Sequence, residues 1–201
     1  ANMAAIGEYW MGSAKEYSSS LLVTIGTGVG AGVIVDGKPL CGYNGAAAEL
    51  GHLPVVEDEQ EYCNCGKKGC LEQVASATGI VRTATRMLNE SGEPSSLRDI
   101  PYISARVVFD EAKAGDLIAL NVVDYVCRYL GKGIACAAGM VDPEVISIGG
   151  GVSAAGEFLL SRISKYYKEY VFHASRNTQI IQATLGNDAG MYGAARLVMN
   201  D

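Results

Sequence analysis

Leu21-Leu22-Val23-Thr24-Ile25-Gly26-Thr27-Gly28-Val29-Gly30-Ala31-Gly32-Val33-Ile34-Val35 holds two short apolar, β-branched runs separated by a glycine turn. Asp36-Gly37 follows, ahead of Lys38-Pro39-Leu40. Both residues of that pair tolerate positive φ, so it predicts a tight hairpin. The stretch reads as strand, glycine turn, strand, hairpin. Working outward, Val145-Ile146-Ser147-Ile148 is another compact apolar strand running into Gly149-Gly150-Gly151. A helix through about Tyr170, a strand near Thr178–Ala183 and a closing helix from Ala189 come after it. Helical patterning covers Leu71–Leu88, breaks over Asn89–Pro94, and returns across Ser104–Ala114 and Leu117–Ala138. Ala1–Tyr9 reads as a helix without a cap, and Gly42–Gly69 as loop. Strands alternating with helices predict an α/β layer structure with a mixed sheet.

The 201 residues carry 16 Lys and Arg against 22 Asp and Glu, a net charge of −6, and no basic stripe. Direct binding of nucleic acid by this region is therefore not expected. No apolar run reaches the ~18 residues of a membrane span. The N-terminal residues lack a basic, then apolar, then small-residue pattern, so a cytoplasmic location is expected. In that compartment the 6 cysteines point to metal or buried thiols rather than disulfides.

Cys63-Asn64-Cys65-Gly66-Lys67-Lys68-Gly69-Cys70 crowds three thiols into one short segment with two glycines to fold it tightly. Thiolates held this close need a cation. A structural zinc ion takes four N or S ligands, and His52, one of 2 histidines, lies just upstream. His52, Cys63, Cys65 and Cys70 are thus the expected ligands of one structural zinc. Cys41, Cys127 and Cys136 lack such company and read as small core residues, Lys67 and Lys68 as solvated, and His173 as a surface or packing residue.

The run Gly26-Thr27-Gly28-Val29-Gly30 supports two readings: a plain β-turn, or a loop whose N–H groups and Thr27 hydroxyl approach phosphate oxygens. Gly149–Gly151 is likewise either a strand-to-helix turn or a place where a flat base passes the backbone. Glu49 and Glu72, each taken alone, read as solvated loop charges.

Taken together these segments carry a resemblance. Glu49-Leu50-Gly51-His52, followed by Cys63-Asn64-Cys65-Gly66-Lys67-Lys68-Gly69-Cys70-Leu71-Glu72, resembles the signature of the ROK family, which groups sugar kinases with transcriptional repressors. Gly26–Gly32 is similar to that family's second phosphate loop and Ile148–Val152 to its adenosine-side turn. Ala75-Ser76-Ala77-Thr78-Gly79 looks closest to the family's bacterial glucokinases. The resemblance implies the larger lobe of an actin-like ATPase over residues 1–201, with a sugar- and zinc-binding loop at 42–74 and the small N-terminal lobe missing. It implies Mg-ATP as cofactor, a hexose such as glucose as substrate, and a homodimer. It also implies sugar contacts from Glu49, His52 and Glu72, and nucleotide contacts from Gly26, Thr27, Gly28, Gly30, Gly149 and Gly150. Zinc would fix one ring nitrogen of His52 and leave the other to meet a hydroxyl.

Phosphoryl transfer to a hydroxyl needs a general base. In the family's kinases this is an Asp in an Asn-Asp-Ala-Asn stretch, and Ala1-Asn2-Met3 resembles the residues immediately after that Asp. The expectation is that the base lies just before Ala1 and that residues 1–201 alone are inactive. The rival expectation is the sugar-sensing region of a repressor, with a helix-turn-helix elsewhere; the glycines at 26–32 favour the kinase. A third is a zinc-stabilised assembly module that binds neither ligand.

Overall fold

Residues 1–199 are described by a computed structural model. In it β1 (Ser20–Ile25) passes through the glycine turn into antiparallel β2 (Val29–Val35), with Leu21 opposite Val33 and Val23 opposite Ala31. Asp36 and Gly37 both take positive φ, and the hairpin they form returns as β3 (Lys38–Pro39). The other partner of β1 is β4 (Val145–Gly149), parallel to it, and β5 (Gln179–Gln182) runs parallel to β4. The sheet order is β3-β2-β1-β4-β5, a mixed sheet with its two most apolar strands adjacent and central. Strands covered on both faces read as continuous apolar runs, which is why β1 and β4 stand out in the sequence.

Alternation along β1 divides two cores. Leu21, Val23 and Ile25 face a large core shared with α3 (Ala77–Glu90), α4 (Ala105–Ala114), α5 (Leu117–Val141) and α6 (Glu157–Tyr170). Leu22 faces the other side, where Ile34 meets Ala5 and Ile6 of α1 (Asn2–Met11). The last helix, α7 (Ala189–Val198), packs on α1 with the backbones nearly touching. A Cβ on Gly193 would sit 2.6 Å from the Met3 carbonyl carbon, so only glycine fits there.

The helix expected over Leu71–Leu88 is in fact two: α2 (Glu72–Ala75) and α3. Ser76 is extended, and its hydroxyl accepts the Gly79 N–H at 3.0 Å, capping α3 and ending α2. Apolar periodicity runs straight through this break, so it leaves no trace in the pattern. Of the cysteines read as core residues only Cys127 is buried; Cys41 and Cys136 are exposed, a correction. Among the described residues no helix is long and apolar enough to cross a membrane.

Candidate functional site

Residues 50–72 wind back on themselves and bring the four expected metal ligands together. Leu50–His52 is a single tight turn seated by buried Leu50, and the His52 N–H donates to the Glu49 carbonyl at 3.0 Å. Leu71 and Val55 tie the outgoing and incoming strands, Leu71 N–H to Leu53 O at 3.0 Å and Val55 N–H to Gly69 O at 2.9 Å. Between them the Cys63 N–H donates to Lys67 O at 2.7 Å and the Gly66 N–H to Cys63 O at 2.8 Å, closing a knuckle at Gly66, whose φ is +82°. The donor atoms of His52, Cys63, Cys65 and Cys70 all lie within 4.8 Å of one another. The Cys65 and Cys70 sulfurs are 3.5 Å apart, and Cys63 Sγ is 3.6 Å from His52 Nδ1. Tetrahedral ligands at zinc–sulfur distance have sulfurs ~3.8 Å apart. The donor set and its spacing therefore fit one tetrahedral metal ion, with His52 Nδ1 the ring nitrogen beside the Cys63 sulfur.

The thiols differ in acidity. Burial, then the neighbouring Cys65 and Cys63, push Cys70 up to about 12, whereas the Lys67 N–H and then the Cys70 thiol pull Cys65 down. A divalent cation stabilises all three thiolates at once, so ligation and deprotonation go together.

An outer brace holds the knuckle. Gln73 accepts the Cys70 N–H at 3.1 Å and donates to Glu61 O at 3.0 Å. The Arg82 guanidinium pairs with Glu59 and, at 2.8 Å, with Glu61, and donates to Gln73 O at 2.9 Å. No sequence pattern marks this brace, because neither Gln73 nor Arg82 has a partner to pair with until the 57–61 loop is folded.

The glycine turn lies beside the knuckle. Glu72 follows Cys70 by two residues, and its Oε2 accepts the Val29 N–H at 2.9 Å. A small hollow is lined by Thr24, Gly26, Gly28, Val29, Gly30, Gly150 and Glu72, so the expected phosphate-side glycines and an expected sugar ligand share one space. Gly26 and Thr27 also open onto a cavity of about 800 Å³ bounded by Gly151, Val152, Ala154 and Ala155 on one side and Arg106, Phe109 and Lys113 of α4 on the other. Gly149 itself is buried at the end of β4, and Gly150, at φ +83°, turns the chain tightly over Ile25; the residues just after them face the larger cavity. Phe109 and Lys113, one helical turn apart behind the Ser104 cap, were missed in sequence, although i,i+4 spacing puts them on one face. Glu49 is exposed and lines neither hollow, nor does His52. A third cavity, about 1050 Å³, lies away from the glycine turns, between residues 55–61 and α5, with charges of both signs.

A mixed sheet with glycine turns at the ends of β1 and β4, and a His-Cys knuckle beside them, defines a class of actin-like α/β proteins. The chain belongs to the ROK family, whose model matches residues 1–201. It is 46% identical over 202 residues to a glucokinase of Halalkalibacterium halodurans, covering 98% of this chain and 61% of that protein. It is 32% identical to the DNA-binding transcriptional dual regulator NagC of Escherichia coli, covering 96% of this chain and 47% of that protein. Among solved structures, the ROK family glucokinase of Streptomyces griseus in complex with glucose and AMPPNP has a TM-score of 0.85 at 34% identity, covering 98% of this chain and 65% of that one. The chain thus spans less than two thirds of the length of these relatives.

Proposed function

We propose that residues 1–201 are the hexose- and nucleotide-binding domain of an ATP-dependent sugar kinase acting on glucose. The observation that carries this reading is the shared hollow, in which Glu72, at the end of the metal knuckle, meets the glycine turn that opens onto the larger cavity. A kinase needs the acceptor hydroxyl and the γ-phosphate side by side, and transfer is chiefly positioning and charge stabilisation. The glucokinase relatives support the choice of reaction and sugar.

In this reading His52, Cys63, Cys65 and Cys70 hold a structural zinc ion, which fixes the ring of His52 and the start of α2. Glu49, His52 through Nε2, and Glu72 take the sugar hydroxyls. The Thr27 N–H and hydroxyl receive phosphate oxygens, and Gly26, open on its side-chain side, leaves room for them. Gly149 and Gly150 shape the turn that lets the base lie along Val152–Ala155, against Phe109. Mg²⁺ bound to ATP screens the phosphate charge. None of these carboxylates is assigned as the base that takes the hydroxyl proton.

The test is a coupled assay on the full-length protein with ATP and glucose, mannose or N-acetylglucosamine. Glucose-dependent ADP release is expected. Calorimetric sugar binding without turnover would instead support a sugar-sensing regulator, the role suggested by the similarity to NagC.

A further inference from the structure

The two outer glycines of the Gly26-Thr27-Gly28 turn are not equivalent. A Cβ built on Gly26 meets nothing within 4 Å, so that position is open to a ligand. A Cβ on Gly28 would overlap Glu72 Oε2 and lie 3.2 Å from Glu72 Cδ. Backbone conformation does not demand glycine at position 28, since it is absent from the residues with positive φ. A side chain there would instead force the carboxylate lying over it to shift.

The next residue completes the arrangement. Val29 donates its N–H to Glu72 Oε2 at 2.9 Å, while Gly51, in the Glu49–His52 segment, packs directly on the Val29 carbonyl oxygen. Val29 is thus clamped between the two segments that carry the sugar contacts. The Gly28 carbonyl is used inside the turn, accepting the Gly26 N–H at 2.9 Å. Glu72 Oε1 has no partner among the described residues, so one oxygen is anchored and the other is left to accept a hydroxyl.

We propose that Gly28 and the Val29 N–H form a seat for the Glu72 carboxylate, making Gly28 a positioning residue for the hexose and not a phosphate ligand. The inference rests on the proposed sugar-kinase function and narrows it. Within one turn, Gly26 and Thr27 serve the nucleotide and Gly28 and Val29 serve the sugar. Phosphate and hexose are then registered against each other through a single peptide segment. Displacing the seated carboxylate by even an ångström is enough to cost about 10- to 100-fold in productive binding.

The experiment uses the full-length, zinc-loaded protein and compares wild type, Gly28→Ala, Glu72→Ala and the double variant. Gly28→Ala is expected to raise the glucose KM by about tenfold or more with the ATP KM changed less than about threefold and zinc content intact. In the Glu72→Ala background, Gly28→Ala should add nothing, since the group it displaces is gone. A raised ATP KM with unchanged glucose KM, or fully additive losses, would overturn the proposal. A readout independent of sugar is hydrogen exchange at the Val29 amide, expected to quicken about tenfold in Glu72→Ala; unchanged protection there overturns the seat. If wild type binds no hexose, the kinase reading falls by itself and the amide readout alone decides the seat. Should Gly28→Ala fail to fold, Glu72→Asp, whose shorter carboxylate cannot reach Val29, is expected to give the same glucose KM and exchange effects, and their absence overturns the proposal.

Discussion

Glu8 lies in the middle of α1 with 1% of its surface exposed, a position where a carboxylate survives only if its oxygens are satisfied. They are: Oε2 accepts the Ser13 N–H and hydroxyl at 2.7 and 2.8 Å and the Thr184 N–H at 3.2 Å, and Oε1 accepts the Leu185 N–H at 2.7 Å. Burial on its own would raise this carboxyl, but the N–H groups of Ser13, Leu185 and Thr184 outweigh it and hold the group below its ordinary value. A carboxyl lowered by folding contributes stability above its unfolded value, and that contribution is lost as pH falls through the folded one. Glu8→Gln is therefore expected to cost about 2 kcal/mol at neutral pH and to flatten the fall in stability below about pH 4.5. Urea melts of both proteins from pH 7 down to pH 3 check this; equal acid limbs would exclude Glu8 as the group responsible. Nothing in the sequence marks Glu8, since its partners at 184 and 185 are distant along the chain and an isolated acid in a short helix reads as solvated.

The knuckle and the helix break after it form the element on which the candidate site depends. Its candidate ligands stand out in the sequence because thiols at that spacing have few other uses, and in the fold their donor atoms lie within 4.8 Å of one another. The split between α2 and α3 was not legible, because a serine inside an amphipathic pattern is neutral until its hydroxyl finds an N–H of its own backbone. Ser76→Ala removes that cap and leaves the Gly79 N–H buried without its partner, so a loss of about 1 kcal/mol is expected in thermal unfolding. Arg82 acts one layer further out. Its two carboxylate partners sit on the loop joining His52 to Cys63, and neither ion pair is fully buried, so Arg82→Ala should cost less than about 1 kcal/mol of global stability. If this loop gates the zinc proposed for the knuckle, transfer of that zinc to a chromogenic chelator is expected to run several-fold faster in Arg82→Ala. An unchanged transfer rate would show that the 57–61 loop does not gate the ion.

The two faces of the sheet are built unequally, and this sets what each local change can reach. On one side a continuous core joins β1 and β4 to α3–α6 and takes in Leu71, Val74 and Ala75, so the knuckle is fastened to the larger hydrophobic mass. On the other, Ala5, Ile6, Leu22 and Ile34 are the whole buried cluster among the described residues, and α7 reaches the molecule chiefly through α1 and the Glu8 bonds to residues 184–185. The central strands stand out in the sequence as continuous apolar runs; the sheet order and the thinness of the second layer do not, because they depend on which strands pair across the chain and which helix lands on each face. Regions with little buried apolar contact open at lower free energy than the core. Amides of α1 and α7 are expected to exchange before those of α5, whose inward face is fully buried. The two faces should also respond separately. Glu8→Gln should quicken exchange in α1 and α7 and leave residues 52–76 as they were, whereas stripping metal with a chelator should quicken 52–76 and leave α1 and α7 alone. Exchange followed by mass spectrometry on peptides from both regions distinguishes this from a single cooperative unit, in which either perturbation would quicken both regions together.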